Sequence, residues 1–453
     1  MLRAARLVLL GLLTLPITGC ATPIPQGRYL LDLRTGAPGA TNVEVALDLT
    51  KDRRGRWQAT LVNGPEHIVV PRVTPTEDGF ILDIPHYDSF LDLSFEYRHK
   101  AWSILGSWVK DRGDRNPAVV TVEGQPIINQ GRTRRGPIHI NDELTDKTTG
   151  RYALDFDESG AAILDLLINR DGTASATVLT PTGDYRFLEG RLDPRLPRRD
   201  PESKFRADTR PPGALYLSTF DGAHMFALTG TLNDDGSIDG YFFSGNWWVE
   251  VFTAIPDESA TLPDAFAETT YTDDTPLDQL IYTNLDGEPE SVADLIRRAH
   301  EDNPNANKNG TGPDGMGPTI VEVFGSWCPN CHDAADYLAE LQETHRDRGL
   351  RVVGLAFELT DDLNRSINQV RLYQQRHGAQ WPVLVAGLSD KALATEALPV
   401  LDRIRSFPTA IFIDASGTVR GVHTGFTGPA TGDEYLQMRA EYDAVIEAML
   451  SEQ

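Results

Sequence analysis

The sequence predicts a multidomain protein in which two antiparallel all-β, barrel-like modules precede an α/β domain. At 453 residues the chain is long enough for about three domains. Before residue 260 the apolar runs are short, alternate with polar residues and are separated by turns rich in glycine and proline, which favours β-structure. After that point apolar residues recur at helical spacing between short strands, which indicates an α/β domain.

Residues 1–19 have the features of an export signal peptide. Two arginines precede the apolar run Leu7–Leu15, which is well short of the roughly 20 residues that a membrane-spanning helix needs. The tetrapeptide Ile-Thr-Gly-Cys that ends at Cys20 resembles the cleavage box of bacterial lipoproteins, in which the cysteine becomes the first residue and is acylated. Cys20 is therefore the expected lipid attachment site, and residues 20–26 are the expected anchor and linker. The alternative is an export signal that carries an unrelated cysteine.

The lipoprotein resemblance implies a location. It implies a cell-envelope protein that faces the periplasm and touches the membrane only through its lipid anchor. Ala21, rather than an aspartate, follows Cys20, which favours the outer membrane if the host has two membranes.

Residues 27–130 and 150–256 are the two predicted β modules, and they look like copies of one unit. Each contains about eight alternating runs joined by turn signals, the pattern of an up-and-down meander that removes its edges by closing into a barrel. Four matching pairs of segments, in the same order, predict a duplication: Gly27-Arg28-Tyr29 with Gly150-Arg151-Tyr152, Ala59-Thr60-Leu61 with Ala176-Thr177-Val178, Tyr87-Asp88 with Phe220-Asp221, and Gly106-Ser107-Trp108 with Gly240-Tyr241-Phe242.

The interior of a barrel of this size can be of two kinds. Barrels of about eight strands are often filled by their own side chains, which the seven tryptophans of the chain favour, whereas a cavity for a small apolar ligand is the alternative. Residues 257–276 are acidic and proline-spaced, as in a linker. The α/β domain is expected over residues 277–453.

Charge and cysteine usage narrow the function further. The formal net charge is −24, and such a surface repels nucleic acid, so no nucleic-acid partner is expected. The chain has three cysteines, and apart from Cys20 they are Cys328 and Cys331, which leaves nothing for a structural disulfide framework. An exported protein that keeps only one such pair is expected to use it chemically.

The Cys pair lies where a strand turns into a helix. The apolar run Thr319–Phe324 predicts a buried strand, and apolar residues recur at helical spacing after Cys331. Cys328 is expected to be accessible at the start of the helix, where free backbone N–H groups would stabilise it as the thiolate nucleophile. Cys331, one turn further on and more buried, is then placed to attack a mixed disulfide and release the product.

Residues 277–453 resemble the thioredoxin superfamily and, within it, the bacterial TlpA-like disulfide reductases. The resemblance rests on motifs that follow one another in the family's order: Trp-Cys-Pro-Asn-Cys at 327–331, a buried strand at 351–357, an additional helix at 362–376, Ser-Phe-Pro-Thr at 406–409 followed by a strand, and a last helix at 433–450. It implies a thiol–disulfide oxidoreductase, in the direction of a reductase, that acts on protein thiols and disulfides and receives electrons from an upstream membrane donor. It implies neither a cofactor nor a metal.

The same resemblance assigns roles to four more residues. Glu322 lies where thioredoxin has its buried carboxylate, and a carboxyl in an apolar strand is expected to have a raised pKa and to accept the proton of Cys331. Pro408 is the expected cis-proline. Trp327 and Phe407 are expected beside Cys328, where they would shape substrate access. The alternatives are an exposed strand glutamate and a tight-turn proline next to a core phenylalanine.

Three other functions compete with this prediction. Cys-Pro-Asn-Cys-His also matches the haem c attachment pattern; otherwise His332 is expected to be an exposed residue of the second turn. A thiol peroxidase is the nearest enzymatic alternative, but Gly325 and Val321 stand where peroxiredoxins carry a hydroxyl residue and a proline. The third is a ligand-binding or scaffolding lipoprotein with an accessory redox domain.

Overall fold

The computed structural model describes residues 23–34, 41–113, 115–127, 140–193, 215–245, 247–272, 275–301 and 315–451. The predicted signal peptide and Cys20 lie outside these ranges. Within the described ranges, no helix combines the length and the apolar character that crossing a bilayer requires.

Residues 27–126 form the first β unit, a nine-stranded antiparallel sheet in the order β4-β3-β2-β1-β9-β8-β7-β6-β5. Strict alternation of apolar and polar residues builds it, as in β2, where Val43, Val45, Leu47 and Leu49 are buried. The strands are β1 Gly27–Arg34, β2 Asn42–Lys51, β3 Trp57–Asn63, β4 Glu66–Val69, β5 Arg72–Pro75, β6 Gly79–Ile84, β7 Ser89–Arg98, β8 Ala101–Arg112 and β9 Arg115–Pro126.

Residues 150–256 form the second β unit, in which β11 pairs with both β10 and β12 and so closes a ring. In the first unit β4 and β5 stay at the two ends of the sheet. Among the described residues, hydrogen bonds therefore close a barrel in the second unit and leave the first open, which corrects the closed barrel predicted for that module. The strands are β10 Gly150–Phe156, β11 Gly160–Ile168, β12 Thr173–Thr180, β13 Gly183–Asp184, β14 Leu188–Leu192, β15 Leu215–Phe220, β16 Met225–Leu232, β17 Ile238–Ser244 and β18 Trp248–Pro256.

Apolar side chains pack against one another inside both β units. Tyr29, Phe80 and Trp108 belong to the core of the first unit, and Tyr152 and Phe252 to that of the second. Among the described residues, this packing agrees with the filled interior that the sequence favours.

The β units share local contacts at the positions that the sequence aligns. Tyr29 lies opposite Pro126 and Tyr152 lies opposite Pro256. Each of these tyrosines donates a hydrogen bond to the carbonyl four residues before it, at 2.7 and 3.0 Å. The likeness supports a common origin, and the duplication stays a prediction.

Residues 281–451 form the mixed-sheet unit, with strand order β20-β19-β23-β22-β21-β24-β25. The pairs β21–β22 and β22–β23 are parallel and the other pairs are antiparallel. Its strands are β19 Ile281–Asn284, β20 Pro289–Ser291, β21 Thr319–Phe324, β22 Arg351–Glu358, β23 Val383–Leu388, β24 Thr409–Ile413 and β25 Val419–Thr424.

Five helices of the described ranges accompany this sheet, and one short helix precedes the second β unit. They are α1 Asp142–Thr148, α2 Val292–Glu301, α3 Pro329–His345, α4 Leu363–His377, α5 Lys391–Ala397 and α6 Asp433–Ser451, with single 3-10 turns at Pro85–Tyr87, Arg346–Arg348 and Pro429–Thr431. Side chains cap several of these helices: the carboxylate of Asp362, for example, accepts from the backbone N–H of Arg365 at the start of α4.

The three units pack on one another through apolar and polar contacts, and the Phe220 ring of the second unit lies 5.2 Å from that of Trp108 in the core of the first. Tyr216 of the second unit donates to the carbonyl of Asn42 in the first, at 2.7 Å. The predicted linker is itself held against the mixed-sheet unit, because Tyr271 pairs with Leu401 and the Phe266 ring lies 6.0 Å from that of Phe412. The Cys pair therefore lies within a contiguous assembly of all three units.

Candidate active site at the Cys pair

Cys328 is the N-cap residue of α3, and Cys331 lies in the first turn of that helix. Both are free thiols. The Sγ atom of Cys328 accepts a hydrogen bond from the backbone N–H of Cys331 at 3.3 Å, and it lies 3.3 Å from the carbonyl oxygen of Phe407, to which its S–H donates. A thiolate at Cys328 would keep the N–H contact, which is the interaction that a helix start offers to an anion.

Both cysteines are buried, although to different extents. The side chain of Cys331 is 0% exposed and that of Cys328 is 6% exposed, so Cys331 is the more buried of the two, as the sequence predicts. The expectation that Cys328 is accessible is wrong in this structure, where its side chain is buried. The carbonyl of Phe407 lies against its sulfur. The turn between β12 and β13 contacts Asn330 on one side of the sulfur and Ser406 on the other.

Glu322 and Tyr373 line the inner side of the pair. Glu322, in the middle of β21, is 1% exposed, and burial raises its pKa to about 8, although a hydrogen bond from Tyr373 opposes that rise. The Tyr373 hydroxyl lies 2.8 Å from Glu322 Oε1 and 2.8 Å from the carbonyl oxygen of Cys331. A hydroxyl has one proton and a carbonyl only accepts, so both contacts are satisfied when Glu322 is protonated and donates to Tyr373.

The loop that contains Pro408 forms the wall opposite Cys328. The Phe407–Pro408 peptide bond is cis, as the sequence predicts. The Phe407 ring lies 5.8 Å from that of Trp327, whose Nε1 donates to the carbonyl of Phe357 at 2.9 Å. Trp327 and Phe407 thus lie beside Cys328 as expected, and their part in substrate access stays a prediction.

His332 is buried, which corrects the exposed position expected from the sequence. It is 3% exposed, with Nε2 2.8 Å from the carbonyl oxygen of Ser326 and Nδ1 2.6 Å from Nε2 of His377. Burial holds the pKa of His332 well below its usual range. Both ring nitrogens are engaged, so the haem c pattern lacks the free imidazole nitrogen that an axial ligand needs.

The outer side of the pair carries a buried charge cluster that joins the three units. Arg186, in the segment 180–186 that we call the β12–β13 tip, bonds Glu66 of the first β unit and Asp333 of α3, each at 2.5 Å. Burial raises the pKa of Asp333 to about 7, against the pull of Arg186. Asp184 of the same tip accepts from the backbone N–H of Gly428 at 2.7 Å, and burial raises its pKa as well.

The β12–β13 tip also contacts the two segments that flank Cys328. The carbonyl of Thr182 accepts from Ser406 Oγ at 2.7 Å, and the carbonyl of Asp184 accepts from Asn330 Nδ2 at 3.4 Å. Gly183, at φ +139°, leaves room for that amide, because a Cβ atom there would lie 2.0 Å from Asn330 Nδ2. The tip therefore covers both the cis-proline loop and the start of α3.

Several residues of this site lay beyond the sequence-based predictions. Tyr373 lies on a buried stripe of α4 with Ile367 and Val370, so helical spacing reveals its burial but not its bond to Glu322. Arg186 and His377 meet partners 147 and 45 positions away, and no local pattern points to those contacts.

Position 325 bears on the peroxidase alternative. A Cβ atom on Gly325 would lie 2.2 Å from Trp327 Nε1 and 2.9 Å from the carbonyl oxygen of Phe357. The hydroxyl residue that peroxiredoxins carry at this place would not fit without displacing the tryptophan.

Part of the chain is similar in sequence to a thiol–disulfide oxidoreductase. The thiol-disulfide oxidoreductase ResA of Halalkalibacterium halodurans is 24% identical over 121 residues. This match covers 26% of the present chain, and the chain spans 60% of the length of that relative. No family model matches the chain.

Two solved structures are similar over a comparable share of the chain. A thiol:disulfide interchange protein of the thioredoxin family from Chlorobium tepidum TLS is 26% identical, with 40% of this chain and 99% of that one covered and a TM-score of 0.26. A secreted Mycobacterium tuberculosis disulfide oxidoreductase, homologous to E. coli DsbE, is 18% identical, with 36% and 96% covered and a TM-score of 0.24.

Proposed function

We propose that the protein is an exported, lipid-anchored thiol–disulfide oxidoreductase that reduces protein disulfides through Cys328 and Cys331. One observation carries the proposal: the Cys328 sulfur accepts the backbone N–H of Cys331 at the start of α3, with the Phe407–Pro408 loop against it. Sequence similarity to a thiol–disulfide oxidoreductase over part of the chain supports the same chemistry.

The first step forms a mixed disulfide. The Cys328 thiolate attacks one sulfur of the substrate disulfide, so that a new S–S bond forms as the substrate bond breaks. The departing substrate sulfur leaves as a thiolate and takes a proton from water. The backbone N–H of Cys331 stabilises the attacking thiolate, because a sulfur at a helix N-cap accepts bonds that the helix cannot satisfy internally.

The second step releases the substrate and oxidises the protein. Cys331 loses its proton and attacks Cys328, which forms the Cys328–Cys331 disulfide and frees the second substrate thiolate. Two electrons thus pass from the protein dithiol to the substrate. Burial raises the pKa of the Cys331 thiol well above its usual range, so this step needs a base.

Glu322 is the proposed base for the second step. Its Oε2 atom is buried and has no hydrogen-bond partner among the described residues, and the Tyr373 hydroxyl that contacts Glu322 Oε1 also contacts the Cys331 carbonyl. Because the pKa of Glu322 is about 8, only a minor fraction is ionised at neutral pH. The rate of the second step is therefore expected to rise with pH through about 8.

The remaining parts of the proposal concern place and partners. Acylation at Cys20 would hold the protein at the envelope membrane on its periplasmic side, and the outer membrane is favoured if the host has two. A membrane electron donor would then reduce the Cys328–Cys331 disulfide after each turnover. Recovery of the Cys20→Ser protein in the soluble fraction, with redox activity retained, is the result expected for such an anchor.

Redox titration tests the activity itself. The purified chain is equilibrated in buffers of reduced and oxidised glutathione, quenched with an alkylating reagent and weighed by mass spectrometry. We expect one two-electron transition that links Cys328 to Cys331, and turnover of a peptide disulfide that is lost in both Cys328→Ser and Cys331→Ser. A pair that stays dithiol throughout, or turnover that survives both substitutions, would contradict the proposed function.

A further inference from the structure

A cleft of about 720 Å³ lies where the three units meet beside the Cys pair. Lys110 and Arg112 of the first β unit, Trp247 of the second, and Trp327 and Lys391 of the mixed-sheet unit line it. Trp327 directly precedes Cys328 in the chain. The volume is within the range of sites that bind a specific ligand, roughly 300–1,000 Å³.

The cleft gathers positive charge in a strongly acidic protein. Against a net charge of −24, it is lined by Lys110, Arg112, Arg115 and Lys391. Among the described residues, no carboxylate lies within ion-pair distance of these four cations. The Nε atom of Arg112 is buried and finds no acceptor there either. Arg112 is half-buried, and a guanidinium donor without a protein acceptor is available to an anionic group of a ligand.

The acidic residues of the cleft are occupied elsewhere. Asp390 caps α5, where it accepts from the backbone N–H groups of Ala392 and Leu393. Glu358 accepts two hydrogen bonds from Ser326, and burial raises its pKa to about 7. Neither carboxylate forms an ion pair with the arginines, so the described lining keeps more cations than carboxylates.

Lys110 is held in the lining of the cleft by a hydrogen bond from the first β unit to the second. Its Nζ atom donates to the carbonyl of Ala223 at 2.9 Å. Burial lowers the pKa of Lys110 to about 8, while the negative charges of Asp221 and of a Cys328 thiolate act in the opposite direction.

The other approach to Cys328 is covered. The β12–β13 tip occupies the cis-proline loop through Ser406 and the start of α3 through Asn330. An extended chain that seeks backbone partners on this loop would have to displace the tip. A substrate that enters from the cleft meets the cations instead.

We propose that this cleft receives an acidic segment of a protein disulfide substrate, with carboxylates close to the cysteine that Cys328 attacks. The inference rests on the proposed function and names its substrate class. Cations that converge on a cleft speed the arrival of anionic groups and hold them in register, whereas basic segments are repelled.

Paired peptide substrates test the proposal on the full chain. Two fluorescence-quenched peptide disulfides are used that differ only in whether glutamate or lysine flanks the cysteines. At low salt we expect kcat/KM for the acidic peptide to exceed that for the basic one by about tenfold or more. The ratio is expected to shrink towards one as the salt concentration rises and the charges are screened.

Variants of the cleft make the test specific. Arg112→Gln combined with Arg115→Gln should bring the ratio towards one, whereas the matched pair Arg72→Gln and Arg98→Gln, on exposed strand ends of the same β unit, should leave it unchanged. If the cleft variant does not fold, the salt dependence of the unmodified chain decides the matter. The same variants are also assayed with glutathione disulfide, a small disulfide that bears carboxylates, to separate a small-molecule substrate from a peptide substrate.

The possible results separate a failure of the proposed substrate class from a failure of the proposed function. Equal rates on the two peptides at low salt, or a preference that survives both high salt and the Arg112 and Arg115 substitutions, would overturn the proposed substrate class while leaving the redox function intact. Another possible result is that the Arg112 and Arg115 substitutions lower kcat/KM for glutathione disulfide and leave kcat/KM for both peptides unchanged. That result would assign the cleft to a small molecule and overturn the proposal. Absence of turnover on every disulfide would instead contradict the proposed function.

Discussion

The inner and outer sides of the Cys pair are built in different ways. On the inner side, Glu322, Tyr373 and Cys331 all belong to the mixed-sheet unit. On the outer side, Arg186 of the second β unit joins Glu66 of the first unit to Asp333 of α3. One side is thus made by a single unit and the other requires all three.

This difference separates chemistry from access. Proton and electron movements between the cysteines depend on groups that are adjacent in one core, so they are expected to survive changes in the β units. Exposure of Cys328 on the outer side depends on how the β12–β13 tip is held, so it is expected to respond to changes far away in sequence. Substitutions on the two sides of the Cys pair should therefore affect different properties, access to Cys328 on the outer side and the pH dependence of stability on the inner side.

Replacement of Arg186 by methionine should open the outer side. It leaves the buried carboxylates of Glu66 and Asp333 without their cation, a loss that costs about 3–5 kcal/mol in comparable buried pairs. The β12–β13 tip can escape this cost by detaching, so alkylation of Cys328 by a maleimide should become one to two orders of magnitude faster. Alkylation kinetics followed by mass spectrometry measure this change.

The charge balance of the cluster supplies the control. Adding Asp333→Asn to Arg186→Met removes one of the uncompensated carboxylates and should slow alkylation again. The single variant should also be less affected at pH 6 than at pH 8, because burial raises the pKa of Asp333 and the arginine that opposes this rise is gone, so the carboxyl takes up a proton more readily as the pH falls. Alkylation as slow in Arg186→Met as in the unmodified chain would show that the tip does not control access.

Replacement of Glu322 by glutamine should change how stability depends on pH on the inner side. The folded protein holds the Glu322 proton up to about pH 8, whereas the unfolded chain releases it near the ordinary value of 4.5. Between these values the folded state binds more protons, so this group makes stability fall as pH rises, by up to about 1.4 kcal/mol per pH unit. The glutamine side chain carries no such proton. The free energy of unfolding of the variant should therefore rise relative to that of the unmodified chain as the pH increases.

Urea unfolding at pH 6, 7 and 8 measures that difference, in which contributions from all other groups cancel. Glu343→Gln, on the exposed side of α3, controls for the loss of a glutamate. The rise of the resolving rate through about pH 8 should also disappear in Glu322→Gln. A stability difference that does not vary with pH would contradict the neutral, buried state assigned to Glu322.

Replacement of Arg348 by alanine should have the smallest effect. Arg348 pairs with Glu447 at 2.5 and 2.9 Å, but the two side chains are 43% and 56% exposed. Exposed pairs of this kind contribute about 0–1 kcal/mol. Neither Cys328 alkylation nor the pH dependence of stability should change, and a large change in either would mean that the two sides of the pair are less separate than described.

The inner side could largely be predicted from the sequence, because its signals are local. The strand Thr319–Phe324 has the predicted bounds, Cys328 lies at the predicted start of α3, and burial of Glu322 follows from its apolar neighbours in the strand. Tyr373 is the exception, since its partner Glu322 lies 51 positions away. Periodicity assigns a residue to a buried face without saying which side chain it meets.

The outer side could not be predicted, because its contacts join units whose relative placement no local pattern encodes. Arg186 follows a two-residue strand that has no distinguishing composition, and its partner Asp333 lies 147 positions away. The accessible Cys328 expected from the sequence assumed a free helix end, and packing of the second β unit removed that freedom. His332 was misassigned as exposed for a similar reason, because the Tyr87 ring of the first unit packs 4.8 Å from its ring.

Trapping of mixed disulfides tests the central claim most directly. Cys331→Ser retains the nucleophile and lacks the group that resolves the adduct, so it should accumulate substrates bound to Cys328 that are released by dithiothreitol. Cys328→Ser should trap none, because Cys331 is fully buried behind it. If Cys328→Ser captured the same substrates as Cys331→Ser, or captured them alone, Cys328 would not be the attacking residue and the account of both sides of the pair would be wrong.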